Sequence, residues 1–150
     1  MTRLYVDADA CPVKDEVLRV AGRHGLEVYM VSNQWLRVAE GPGVHRIVVG
    51  GGADAADKWI AERIGAADIA ITADIPLAAR CLEAGARVIG MTGKPFTQDG
   101  IGNALVMRDL MAHLRDRGEI RGNAPVFSKQ DRSRFLQAIE ETIQSIRRGA

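Results

Sequence analysis

Five short strand-like runs constrain what this chain can fold into: Leu4 to Val6, Leu26 to Val31, Arg46 to Val49, Ile69 to Thr72 and Arg87 to Ile89. Most lack the polar alternation of a half-exposed strand, so they are expected to be buried on both faces, as in a parallel sheet covered by helices. Helical periodicity fills much of the chain between them. Val13 to Arg23 places Val13, Val17, Leu18, Val20 and Ala21 on one helix face, and Gly25 is placed to close that helix. A second helix is expected from Ala53 to Ile64, and a third opens at Pro76, runs to Ala84 and is closed by Gly85. A loop from Trp35 to Gly43 joins the second and third strands. Strand and helix in alternation with short turns imply right-handed crossovers and an α/β fold.

Beyond Gly90 the character changes. A polar loop from Thr92 to Gly102 precedes a helix over Asn103 to Arg117, then a Gly/Asn/Pro loop and a last helix over Lys129 to Arg147. The expected architecture is therefore a three-layer sandwich with a central, mostly parallel five-stranded sheet and two C-terminal helices. At 150 residues it fits one domain, 1–150, with a substantial core.

The first strand ends in Asp7-Ala8-Asp9-Ala10-Cys11-Pro12. In an open parallel sheet ligands bind outside the carboxyl ends of the strands, so this junction is where a site belongs. Two carboxylates this close repel unless a cation or a shared proton intervenes. The pattern recurs: Asp54 and Asp57 follow the third strand, three residues apart at a helix start, and Asp74 follows the fourth. If strand order gathers these ends, the acids face one point, an all-oxygen arrangement that suits Mg²⁺ or Mn²⁺. The plainer alternative is that each acid caps the helix it precedes, since Asp is among the best N-cap residues. Capping does not explain a doubled acid directly after a buried strand.

Other candidates carry less. Gly50-Gly51-Gly52 lacks the Lys-Ser/Thr ending of a phosphate loop and reads as a flexible turn. Cys11 and Cys81 show no metal spacing and are expected to be reduced thiols, Cys11 as a small buried residue beside the site. His24, His45 and His113 are scattered, which argues against zinc. With Lys+Arg 20 against Asp+Glu 19, the net charge of +1 exerts no global pull on nucleic acid or membrane. Basic residues are nonetheless dense late in the chain, including Arg108, Arg115, Arg117, Arg121 and Arg132, and Arg suits bidentate phosphate contacts. No apolar run is long enough to span a bilayer and the first residues lack a signal-peptide core, so no membrane partner and a cytoplasmic location are expected.

Three motifs together resemble the YaiI/YqxD group of small bacterial proteins, which look like members of the PIN-like superfamily. They are Val6-Asp7-Ala8-Asp9-Ala10-Cys11-Pro12-Val13-Lys14, Gly52-Ala53-Asp54-Ala55-Ala56-Asp57 with Trp59-Ile60, and Ile71-Thr72-Ala73-Asp74-Ile75-Pro76-Leu77-Ala78. Met107-Arg108-Asp109-Leu110-Met111 and Asp131-Arg132-Ser133-Arg134-Phe135 match as well, so the resemblance spans nearly the whole chain. It implies an acid pocket of the kind that in nuclease relatives binds Mg²⁺ or Mn²⁺ and cleaves RNA or DNA. On that analogy Asp7, Asp54, Asp57 and Asp74 are the expected metal acids, with Asp9 an added catalytic candidate. Lys14, Asn33, Thr72, Arg108 and Arg132 are candidate contacts to single-stranded RNA or DNA. Two other functions compete: a haloacid dehalogenase-like phosphohydrolase using Asp7 and Asp9, although Cys11 stands where that motif has Thr or Val, and a binding module without turnover.

Overall fold

The computed structural model describes residues 1–52, 54–118 and 126–149. One six-stranded sheet runs through it in the order β3-β2-β1-β4-β5-β6. The strands are β1 (Arg3–Asp7), β2 (Glu27–Ser32), β3 (Val44–Val48), β4 (Ile69–Ile71), β5 (Arg87–Ile89) and β6 (Pro95–Phe96). The first five pair in parallel and β6 joins β5 antiparallel. The five expected strands are present. The sixth was not expected, because a two-residue strand containing Pro95 has no periodicity to show, and Pro is tolerated where it occupies a sheet edge.

The pleat divides the sheet's side chains between two helical layers. Leu4, Val6, Val28, Met30, Ile69 and Ile71 enter one core, with α1 (Lys14–His24) and α5 (Lys129–Arg147) over it. Tyr5, Val31, Ala70 and Val88 enter the other, under α2 (Ala55–Arg63) and α3 (Ile75–Glu83). This is the expected three-layer arrangement. Helix α1 buries Val17, Val20 and Ala21 along one stripe and ends at Gly25 in the left-handed region, φ 67°, with its N–H returned to the carbonyls of Ala21 and Gly22. Helix α5 starts from a Ser128–Asp131 capping box and buries Phe135, Ile139 and Ile143 at successive four-residue steps. Burying side chains of that size contributes about 2 kcal/mol each, which holds α5 to the sheet.

Helix α4 (Gln98–Asp116) begins five residues before the expected start at Asn103, because Thr97 accepts from the Gly100 N–H and caps it inside the supposed loop. It lies along α3, with the Gln98 amide donating to the Leu82 carbonyl, and buries none of its own residues; Val106, Met107 and Leu110 stay exposed. Ala53, Arg121 and most of the Gly/Asn/Pro loop lie outside the described residues. Among the described residues no helix is long and apolar enough to cross a membrane.

Candidate functional site

The chain moves from β1 to β2 on one side and reaches β4 on the other, so strand direction of travel reverses between β1 and β4. The carboxyl ends of those two strands flank the crevice where open α/β sheets bind ligands. Alternation along β1 sends Tyr5, and therefore Asp7 two residues on, to the α2/α3 side; Ala70 and the following Thr72 do the same beside it. Thr72 is fully buried, and its hydroxyl donates to Asp7 Oδ2 at 2.9 Å while accepting from the Asp74 N–H at 2.9 Å. Asp74 caps α3, its Oδ1 accepting from the Leu77 N–H at 2.9 Å. Asp57 enters from the first turn of α2, near the positive end of that helix.

Asp7, Asp9, Asp57 and Asp74 all line one open pocket of about 570 Å³, with Ala10, Asn33, Gln34, Leu36 and Ala56 completing its walls. Their proximity is energetically visible. Burial raises the Asp7 carboxyl above the ordinary range, the Thr72 hydroxyl partly offsets this, and the charges of Asp74 and Asp9 add to it. Asp57 is pushed up to about 7, first by burial, then by the charges of Asp74 and Asp7 and a hydrogen bond shared with Asp74. Asp7, Asp57 and Asp74 are the acids whose charges act on one another in the pocket.

Asp9 has a different task. Its Oδ2 accepts from the Asn33 N–H at 2.7 Å, and the Asn33 amide donates to the Gly52 carbonyl at 2.7 Å, so the ends of β1, β2 and β3 are tied together. Gly52 holds φ 122°, a conformation a side chain would strain. The next residue after Asp9 is also unusual: Ala10, on the pocket wall, has φ 57°, the one positive-φ residue other than glycine among those described. Such strain tends to persist where surrounding structure over-determines the backbone.

Not every expected residue arrives here. Asp54 occupies the N-cap position of α2 but makes no side-chain cap bond, is exposed, and is not part of the pocket wall; it acts on Asp57 only as a more distant charge. The three-residue spacing did not bring both acids inside because Asp54 precedes the first helical turn. Capping, conversely, is the observed role of Asp74 alone among these acids. Lys14 donates its ammonium to the Cys11 carbonyl at 2.7 Å, bracing the start of α1. Arg108 sits on the exposed α4 beside Asp109 and is not on the pocket wall. Arg132 is on α5, across the sheet from α2 and α3, where it pairs with Glu16 at 2.6 Å and donates to the Pro12 carbonyl. Glu16 is only 5% exposed, so a countercharge is what its position demands. Asn33 and Thr72 do belong to the site, Asn33 on its wall and Thr72 beneath Asp7. Cys11 is buried and its thiol is raised by that burial, while Cys81 is pushed up to about 12 in the α3 core; both are free. Neither has the character of a nucleophile. Of the residues the sequence did not single out, Ala10, Leu36 and Ala56 are apolar wall positions with no chemical signature to find.

The donor set is all oxygen, as Mg²⁺ or Mn²⁺ prefers. Among the described residues no three Asp, Glu, His or Cys side chains are placed to hold an ion together. Asp57 and Asp74, with Asp7 beside them, are the carboxylates that would hold a hard cation if it kept most of its waters.

Comparison with known sequences is consistent across the chain. The profile of the family described as "Uncharacterized BCR, YaiI/YqxD family" matches residues 5–145. A UPF0178 protein of Parvibaculum lavamentivorans is 61% identical over 148 residues, covering 99% of this chain and 97% of the relative. UPF0178 proteins of Nitrobacter winogradskyi, 57% identical over 97% of this chain and 93% of the relative, and of Rhodospirillum rubrum, 56% identical over 97% and 98%, are also similar over nearly their whole length.

Proposed function

The chain belongs to the YaiI/YqxD family, and from its pocket we propose that it is a Mg²⁺- or Mn²⁺-dependent phosphodiesterase acting on single-stranded RNA or DNA. The observation that carries this is the gathering of Asp7, Asp57 and Asp74 at the sheet's switch point, where burial first and the neighbouring acids second raise the Asp57 carboxyl. The likeness to PIN-like nucleases points the same way by analogy only. When bound, the cation supplies positive charge that polarises a phosphodiester and offsets charge developing on its oxygens. The chain's own residues do the rest. Asp57 and Asp74 offer carboxylate oxygens, Thr72 orients Asp7, and Asp9 holds the Asn33 backbone at the pocket wall.

The haloacid dehalogenase-like alternative needs Asp9 free as an acid/base beside an Asp7 nucleophile. Asp9 is engaged with the Asn33 N–H, which supports it less well. The test is cleavage of a labelled single-stranded RNA and DNA with Mn²⁺, using wild type, Asp7→Asn and Asp74→Asn. Metal-dependent cleavage lost in both variants, with folding intact, is expected. Absence of any cleavage by wild type transfers the pocket to the binding-module reading.

A further inference from the structure

Trp35 is 63% exposed and is the one exposed Phe, Tyr or Trp ring among the described residues. A large ring left in water away from any core asks for a reason. It stands on the loop between β2 and β3, and its neighbours on either side, Gln34 and Leu36, line the acid pocket. Arg46 of β3 lies over the ring with its guanidinium carbon 4.8 Å from the centroid, and also donates to the Leu36 carbonyl at 3.5 Å. One face of the indole is thus covered and held, so the exposed area is the other face and the ring edges. Arg46 itself is only loosely paired, 3.9 Å from the exposed Glu40, and the exposed Arg37 follows two residues after Trp35.

We propose that Trp35, braced by Arg46, is a stacking platform for one unpaired base of a single-stranded nucleic acid whose backbone passes into the acid pocket. The inference rests on the phosphodiesterase reading of that pocket and adds the surface that holds its substrate. A flat, braced ring accepts any base, because every base has a π face, and the positive charge of Arg37 and Arg46 attracts the phosphates that the acids alone repel. An uncharged sugar chain would gain nothing from the net positive charge of those two arginines. Recognition by stacking also selects unpaired strands, since in a duplex the base faces are already occupied.

The experiment uses the full chain in Mg²⁺ buffer. In Trp59→Phe protein Trp35 is the sole tryptophan, and its emission is followed by stopped flow, before turnover, against oligothymidylate and against an abasic strand of equal length. The expected result is quenching by oligothymidylate and not by the abasic strand. Affinities by fluorescence anisotropy of labelled strands should show Trp35→Leu weakening oligothymidylate binding about tenfold or more, Trp35→Phe retaining most of it, and the abasic strand indifferent to both. If wild type binds oligothymidylate and Trp35→Leu binds it equally well, the stacking role is overturned and the pocket reading stands. If wild type binds neither strand, the pocket reading fails and the platform with it.

Discussion

Thr72 and Asp7 meet across the β1–β4 seam, the hydroxyl donating to the carboxylate at 2.9 Å from a fully buried position. The same oxygen accepts from the Asp74 N–H, so one side chain orients two pocket acids. Thr72→Val keeps the shape and removes both bonds. We expect a loss of about 1–3 kcal/mol in denaturant unfolding, because a buried N–H and a carboxylate oxygen are left without partners, and Thr72→Ser should restore most of it. Since that hydrogen bond lowers the Asp7 pKa, Thr72→Val should also raise it further, which NMR titration of the carboxyl carbon will read.

Asp57 makes stability depend on pH with a definite sign. An acid whose folded value is raised, here from 3.8 to about 7, binds its proton more tightly in the folded state. Its stabilising contribution is complete below the unfolded value and is lost as pH climbs through about 7. In metal-free buffer, Asp57→Asn should therefore gain melting temperature relative to wild type as pH rises through that window. A difference that stays flat with pH would show that the Asp57 carboxyl is not raised in the folded state. Mn²⁺ should erase the wild-type deficit at high pH by binding the ionised pair.

Arg132 is expected to act on stability and not on substrate. Its partner Glu16 is buried and has its other oxygen without a hydrogen-bond partner, so removing Arg132 strands a charge. Arg132→Met should cost about 1–3 kcal/mol, less than the ~3–5 kcal/mol of a fully buried broken pair, because the guanidinium is part exposed. Adding Glu16→Leu should recover much of that loss in a double-mutant cycle, while oligonucleotide affinity remains near wild type in both.

Ala10 holds its left-handed conformation at the cost of its Cβ. Ala10→Gly should raise unfolding free energy by up to about 1 kcal/mol, the strain relieved less the added entropy of the unfolded chain. A clear loss of stability would mean that the Ala10 methyl is a packing contact.

The parts of this fold that are legible in the sequence are those where local chemistry and tertiary role coincide. Asp7 and Asp74 stand where apolar runs stop, and a strand end in a parallel sheet is a site position whatever the strand order. Gly25 and the Ser128–Asp131 start of α5 are written in capping residues. What stays hidden depends on partners far along the chain. Arg132 looks like any late basic residue until Glu16, 116 positions earlier, is found beneath it. Asp54 and Asp57 look equivalent by spacing, and only the point where α2 starts separates the exposed one from the pocket one. Strand β6 and the first turns of α4 are masked by Pro95, Gly100 and Gly102, which read as loop. Trp35 reads as a loop residue too, since nothing local reveals that Arg46 covers it or that its neighbours wall the pocket.

The central claim is that the pocket acids hold a hard divalent cation, and isothermal titration with Mn²⁺ tests it most directly. Wild type should bind with a dissociation constant on the order of micromolar to millimolar, as oxygen-only sites completed by substrate do. Asp57→Asn and Asp74→Asn should lose that heat while melting at or above the wild-type temperature in metal-free buffer, because each removes a repelling charge and Asn caps α3 nearly as well as Asp. No heat with Mn²⁺ in wild type, or unchanged binding in both variants, would contradict it.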